Sequence, residues 1–248
     1  MTFSRRQILI TGGGQGIGRH LVDRFLAGGH SVGVLERDER FLAELQSLPG
    51  CQAWRCDVAD ACAVDTAFEQ LFATEFMPDV LINNAGIIHS EPLVNLLSRD
   101  DRAHSRDEWR RVLATDLDSV FFVTSRLIDR LLAARTTAVV ISMSSISATG
   151  NAGQSAYAAA KAGVNALTST WAKELGPFGF RFAGIAPGFI DTSSTHSALA
   201  EAKVEELRNR IPLRRLGHID EVYRAAEFII QNQYINGTTI QLDGGLVL

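Results

Sequence analysis

The sequence predicts an α/β protein: a doubly wound parallel sheet of about seven strands with helices on both faces. Strand-like and helix-like patterns alternate from the first residues to the last. The strand candidates are short, continuous, β-branched apolar runs, the pattern of strands covered on both sides. A glycine-rich turn stands between the first such run and the first amphipathic segment. The length of 248 residues suits one such domain spanning 1–248.

The elements follow in order. Gln7–Thr11 reads as a strand, and Gly16 to Ala27 as a helix with Ile17, Leu21, Val22, Phe25 and Leu26 at three-to-four spacing. Further strands are predicted at Ser31–Leu35, Gln52–Cys56, Val80–Asn83, Ala138–Met143, Arg181–Ala186 and Thr239–Leu242, with helices filling the gaps. No internal repeat, linker or low-complexity tract interrupts them. The stretch Ile88 to Arg106 is the least regular. At the carboxyl edge of a sheet it is either a binding element or a solvated, oligomer-facing insertion.

Composition narrows the class. With 46% hydrophobic residues the chain can bury a sizeable core, and a formal net charge of −4 argues against a nucleic-acid surface. Cys51, Cys56 and Cys62 lack the spacing of a zinc site and read as reduced structural thiols. The six histidines show no metal spacing, so no metal is expected. No apolar run approaches ~18 residues and the first strand starts by about residue 7, so a cytoplasmic protein without a membrane partner is expected.

Three motifs carry chemistry. Gly12-Gly-Gly-Gln15-Gly16-Ile17-Gly18 sits between strand and helix, the context of a phosphate-binding turn. Glycines let backbone approach a pyrophosphate, and the helix start offers free N–H groups and a positive dipole. Asn83-Asn84-Ala85-Gly86 ends the fourth strand, and is either an ordinary Asn-Gly exit or room left for a ligand. Tyr157 and Lys161 are separated by one helical turn and share a face. An unperturbed phenol ionises near ~10, and a neighbouring cation favours the phenolate. The two together make an acid/base device.

Read together, Thr11 to Gly18, Asp57-Val58, Asn83 to Gly86, Ser144, Tyr157-x-x-x-Lys161, Pro187-Gly188 with Thr192, and Asp243-Gly-Gly245 resemble the short-chain dehydrogenase/reductase family along nearly the whole chain. The stretch Ser144 to Lys161 is most similar to the 3-oxoacyl-[acyl-carrier-protein] reductase type. The resemblance implies a Rossmann-type fold and hydride transfer between a nicotinamide and a ketone or secondary alcohol. It implies that Tyr157 gives a proton to the carbonyl oxygen, that Lys161 holds the nicotinamide ribose and that Ser144 donates to the substrate oxygen. Ser142 and Ser145 are alternative hydroxyls.

For the cofactor, the resemblance sets Gly12, Gln15, Gly16, Ile17 and Gly18 on the pyrophosphate, Asp57 and Val58 beside the adenine, Asn84, Ala85 and Gly86 beneath the adenosine, and Pro187, Gly188, Ile190 and Thr192 along the nicotinamide. Glu36 ends the second strand, where a carboxylate accepts from ribose hydroxyls and repels a 2′-phosphate. Gln15 carries no positive charge, whereas Arg37 pulls toward a phosphate. NAD(H) is expected over NADP(H).

One position departs from the family. Asp116 stands where relatives commonly carry an Asn that kinks its helix and serves a proton relay to Lys. Asp cannot donate an amide N–H, and an ionised Asp116 would draw on Lys161. This leaves an alternative in which the protein is a nucleotide-binding regulator with weak or no turnover.

Phe189 to Leu199 reads as a lid over the nicotinamide end. Arg126, Arg130 and Arg135 are either a docking patch for an acidic carrier protein or solvated arginines, and the apolar Phe178 and Phe180 weaken the carrier case. A homo-oligomer, tetramer or dimer, follows from the resemblance, with the Tyr157 helix and the last strand as contacts. The apolar end Val247-Leu248 is consistent with burial there.

Overall fold

The structure is a computed structural model that describes residues 5–98, 100, 102–192, 195 and 201–246. Its strands are β1 (Gln7–Thr11), β2 (Ser31–Glu36), β3 (Cys51–Arg55), β4 (Val80–Asn83), β5 (Val139–Met143), β6 (Arg181–Pro187), β7 (Ile190–Asp191), β8 (Gly217–His218) and β9 (Thr238–Leu242). The helices are α1 (Gly16–Ala27), α2 (Glu39–Gln46), α3 (Ala61–Phe72), α4 (Arg106–Leu113), α5 (Ser119–Ala133), α6 (Ser155–Leu175), α7 (Glu201–Arg210) and α8 (Ile219–Gln231). A π-helical turn, Ala114–Asp118, joins α4 to α5.

Seven strands form one parallel sheet in the order β3-β2-β1-β4-β5-β6-β9, and β7 pairs with β8 in a separate parallel ribbon. All seven predicted sheet strands are present, and α1 has its predicted bounds. Strand ends moved by a residue. The second strand extends to Glu36, and the third ends at Arg55, leaving Cys56 just beyond it with its N–H on the Glu36 carbonyl.

The continuous apolar strand runs follow from burial on both faces. Ile8, Ile10, Val32, Val34, Ile82 and Ile141 meet Leu21, Val22 and Phe25 of α1 and Val222, Ala226 and Ile229 of α8. Their neighbours Leu9, Leu35, Leu81, Val140 and Phe182 point the other way, onto Phe68 and Leu71 of α3 and Val123, Leu127 and Leu131 of α5. At ~25 cal/mol per Å², each large side chain buried this way stabilises the fold by about 1.5–3 kcal/mol.

Chain order reverses between β1 and β4. Such a switch point leaves a crevice beyond the carboxyl ends of the strands. The glycine turn, the Asn84–Gly86 exit and the start of α6 lie along that edge. No helix among the described residues is long and apolar enough to cross a membrane.

Candidate active site

The phosphate end is built from glycines that have no room for a side chain. Gly12 and Gly16 adopt positive φ (65° and 54°), which L side chains rarely do. A Cβ on Gly18 would fall 2.0 Å from the Gly12 carbonyl oxygen and 2.5 Å from Asn84 Nδ2. Asn84 in turn donates its amide to the Thr11 and Gly12 carbonyls, at 3.0 Å each. Thr11 Oγ1 accepts the N–H groups of Asn84 and Ala85. The β4 exit is therefore bonded to the glycine turn, and Gly86 follows directly. Gln15 precedes α1 with extended backbone and provides no side-chain cap to the first-turn N–H groups, the groups a helix start offers to an anion. Ile17 packs its side chain against the core beside Leu21 and Val22.

At the ribose end, Glu36 is buried rather than solvated. Its Oε2 accepts from the Gly14 N–H at 2.9 Å, and Oε1 from the N–H groups of Arg37 and Asp38 at 2.9 and 3.1 Å. The carboxylate is thus tied to backbone, not to the Arg37 guanidinium, which is exposed. Arg37, Asp38, Arg55 and Asp57 line an open cleft of about 370 Å³. Asp57 is exposed and Val58 buried beside it.

At the other end of the edge, the Gly188 N–H donates to Leu242 O at 2.9 Å, and Pro187 closes β6. Ile190 is buried and pairs with Gly217. Thr192 Oγ1 lies 3.0 Å from Thr195 Oγ1, which donates to Ile190 O at 2.7 Å. The predicted lid continues through 193, 194 and 196–199, which lie outside the described residues, as does the Val247-Leu248 end.

Ser144 follows β5 directly, with its N–H on Ile185 O at 2.7 Å. Its buried hydroxyl makes one long bond, 3.4 Å to the Lys161 carbonyl oxygen. The alternative hydroxyls accept bonds: Ser142 Oγ from Asn83 Nδ2, and Ser145 Oγ from the Ser147 N–H. Tyr157 and Lys161 lie on α6, and Lys161 Nζ is 5.5 Å from the Tyr157 ring centre. The Tyr157 ring packs with Val112, Ala156 and Ile87. The ammonium is 3.0 Å from Met143 O and 3.2 Å from Asp116 Oδ2.

Asp116 sits inside the π-helical turn and is fully buried, with Oδ1 taking the Ile87 N–H at 2.8 Å. The wide turn that interrupts the α4–α5 run is thus present with Asp at this position. Burial pushes the Asp116 carboxyl above the usual range, against the pull of Lys161. For Lys161, burial presses the ammonium down, but the charges of Asp116 and Tyr157 together carry it up. Gly86 completes the contact: a Cβ there would lie 3.1 Å from Asp116 Oδ2 and 3.4 Å from Lys161 Nζ.

One expectation needs revising. The histidines do form a grouping compatible with a metal: His89, Glu91 and His104 each offer a ligand atom within 4.8 Å of the others. His89 and His104 are too far apart in sequence to show a spacing; the pairing of Val94 with Ala103 folds them together. Of the three arginines, Arg130 and Arg135 are exposed, Arg130 over the Phe72 ring, and Arg126 pairs with Asp65 at 2.7 Å at the surface. A second cleft, about 670 Å³ between Arg6, Asp79, Arg181 and Tyr234, lies at the opposite, amino edge of the sheet.

A glycine turn at the switch point of a parallel sheet, facing a helix that carries Tyr and Lys one turn apart, defines a dinucleotide-dependent oxidoreductase. A family profile described as Enoyl-(Acyl carrier protein) reductase matches residues 12–247. The chain is 34% identical to the 3-oxoacyl-[acyl-carrier-protein] reductase FabG of Chlamydia pneumoniae, over 99% of this chain and 98% of that protein. It is 33% identical to the (3R)-3-hydroxyacyl-CoA dehydrogenase of Homo sapiens, over 97% and 95%. The solved structure of a 4-hydroxyisoleucine dehydrogenase complexed with NADH shares the fold, with a TM-score of 0.88 at 24% identity, covering 96% of this chain and 98% of that one. The chain belongs to the short-chain dehydrogenase/reductase family of NAD(P)-dependent oxidoreductases, which interconvert ketones and secondary alcohols.

Proposed function

We propose that the protein interconverts a 3-oxoacyl and a 3-hydroxyacyl thioester, with NAD(H) as the preferred cofactor. The names of its relatives share that substrate class. Side chains that would flank an aliphatic substrate are exposed on the 88–106 excursion, including Ile88, Leu93 and Leu96. Arg126 already faces Asp65 and Arg130 lies over Phe72 at the surface, so the acyl chain and the thioester, rather than an acidic carrier, are taken as the recognised part.

The residues fit the cofactor: the uncapped α1 start and the glycine turn receive the pyrophosphate, Glu36 the adenosine ribose, and Asp57 and Val58 the adenine. Asn84, Ala85 and Gly86 run beneath the adenosine, and Pro187, Gly188, Ile190 and Thr192 border the nicotinamide. When bound, the dinucleotide supplies or accepts the hydride. Tyr157 then delivers the proton to the carbonyl oxygen. Ser144 donates a hydrogen bond to the same oxygen, and Lys161 holds the nicotinamide ribose and favours the phenolate that follows proton loss.

The observation that carries this reading is the placement of Ser144 directly after β5, its hydroxyl held by one long bond of 3.4 Å to the carbonyl oxygen of Lys161, whose buried ammonium lies 5.5 Å from the Tyr157 ring centre. The test is Tyr157→Phe, which keeps the ring in its packing with Val112 and Ala156. Turnover of 3-oxoacyl thioesters should fall about 10²–10⁴-fold while NADH affinity stays within a few-fold. Unchanged turnover sinks the assignment.

The ion pair of Lys161 with Asp116 favours a second reading, a nucleotide-binding regulator in which the ammonium is held away from the ribose. Tight NADH binding with no turnover across a panel of ketones and alcohols would decide for it. A homo-oligomer is proposed for either reading, and sedimentation velocity tests it.

A further inference from the structure

We infer that His89, Glu91 and His104 bind a single divalent transition-metal ion of the zinc class, which holds the 88–106 excursion folded on itself beside the loop entering the Tyr157 helix. Two imidazoles and a carboxylate suit zinc or its first-row neighbours rather than calcium or magnesium.

The geometry is close to what such an ion requires. His89 Nε2 lies 3.0 Å from Glu91 Oε2, and His104 offers a ring nitrogen within 4.8 Å of the ligand atoms of both. Metal–ligand bonds of about 2.0–2.2 Å in a tetrahedron place ligand atoms roughly 3.3–3.6 Å apart. The Ser105 N–H donates to Glu91 Oε1 at 3.0 Å, so the carboxylate is oriented and Oε2 is the oxygen turned to the imidazoles. Three protein ligands leave a fourth position for water.

The surroundings are those of ligating histidines, whose second nitrogen commonly donates to a carboxylate or a backbone carbonyl. His89 Nδ1 is 3.5 Å from Glu108 Oε2, and Glu108 is itself held by Arg111 at 2.5 and 2.9 Å. His104 Nδ1 lies 2.9 Å from the Ser105 carbonyl oxygen. The His104 side chain is only 8% exposed, and its Nε2 is buried without a hydrogen-bond partner.

The site is wired to the catalytic loop. The Glu91 N–H donates to Gly153 O at 2.7 Å, and Gln154 Nε2 donates to Ser90 Oγ at 3.1 Å. Gln154 stands immediately before α6 and accepts from Ser147 Oγ at 2.9 Å. An ion on Glu91 therefore braces the segment that leads to Tyr157.

The experiment uses the full-length chain without a histidine tag, stripped with chelator and titrated with Co²⁺. The wild type should retain a single Co²⁺ per chain after desalting, with the intense visible bands of a tetrahedral site, and Zn²⁺ should displace it. His89→Gln and Glu91→Gln should weaken Co²⁺ about a hundredfold or more, and Glu108→Gln about tenfold. Thermal melts of the metal-free variants check that they fold. In the wild type alone, Zn²⁺ should slow diethyl pyrocarbonate modification of His89, read by peptide mass. Absence of tetrahedral bands, retention of the ion by folded His89→Gln and Glu91→Gln, or unprotected His89 would each overturn the assignment.

Discussion

Lys161 Nζ lies 3.2 Å from Asp116 Oδ2, and neither side chain is more than 5% exposed. Such a pair is held together by its own charges against a large desolvation cost, so its effect on stability depends on pH. Asp116 is raised by burial, so the folded state holds the carboxyl proton more tightly than the unfolded chain. Its contribution to stability therefore declines as pH rises from the ordinary value of 3.8 through the folded one. Lys161 is raised by Asp116 and Tyr157 over the opposing effect of burial, so its contribution is complete below 10.5 and is lost above. Asp116→Asn removes the first effect and leaves burial dominant on Lys161, which reverses the second. The stability of the variant relative to wild type should rise from about pH 4 to neutrality and rise again in the alkaline range. Urea denaturation of both proteins across pH measures this, and parallel stability curves contradict it.

Ser144 and Ser145 separate by function. Ser144→Ala should lower kcat about 10²–10³-fold through loss of an oxyanion donor, with little change in melting temperature because the bond its hydroxyl makes among the described residues is 3.4 Å long. Ser145→Ala removes the cap on Ser147 and should cost about 0.5–2 kcal/mol of stability with kcat largely kept. Steady-state kinetics beside thermal melts distinguish the two. The reverse pattern would move the substrate donor to Ser145.

Much of the frame was legible because its signals are local. A strand covered on both faces must be apolar at every position, so Ile8-Leu9-Ile10 and Val80-Leu81-Ile82 announce themselves. The Tyr157–Lys161 spacing reports a shared helix face for the same reason. The π-helical turn at Asp116 was not legible as such, because one extra residue in a turn barely disturbs the apolar period across α4 and α5. The β7–β8 ribbon is two residues per strand, too short to carry a period. Nor does Glu36 reveal in sequence that backbone N–H groups claim both its oxygens. The grouping of His89 with His104 depends on how an irregular segment folds back on itself, and no spacing rule encodes that.

Gly18→Ala tests the phosphate turn. The added methyl would collide with the Gly12 carbonyl oxygen at 2.0 Å, which is backbone and cannot swing aside. The turn must open, breaking the Asn84 bonds to Thr11 and Gly12. The expected cost is about 1–3 kcal/mol of stability, the range for overpacking, with cofactor affinity reduced at least tenfold. Fluorescence titration with NADH and chemical denaturation measure both. Unaltered affinity would show that the turn does not hold the cofactor.

The thiols should react unequally. Burial pushes Cys56 up to about 12 and Cys51 up to about 11, so neither forms much thiolate at neutral pH. Cys62 is exposed at the start of α3. In the native protein a thiol reagent should modify Cys62 first, and Cys62→Ser should remove the fast phase. Rapid labelling of Cys56 would mean that the β3 end opens.

Glu36→Gln tests the proposed preference for NAD(H). Its carboxylate places a negative charge at the ribose end, while the Arg37 and Arg55 side chains border the same cleft. Glu36→Gln keeps the shape and removes the charge. One cost is structural: an amide nitrogen would face the Gly14 N–H, donor against donor, at about 1–3 kcal/mol. That loss weakens NADH and NADPH alike and cancels in their ratio. Removing the charge should favour only the 2′-phosphate, which the two arginines then attract. The ratio of kcat/KM for NADH to that for NADPH should therefore fall about tenfold or more, equivalent to ~1.4 kcal/mol of discrimination. A ratio that stays fixed while stability drops would mean that Glu36 serves only to hold the glycine turn, and that cofactor choice is made by other groups.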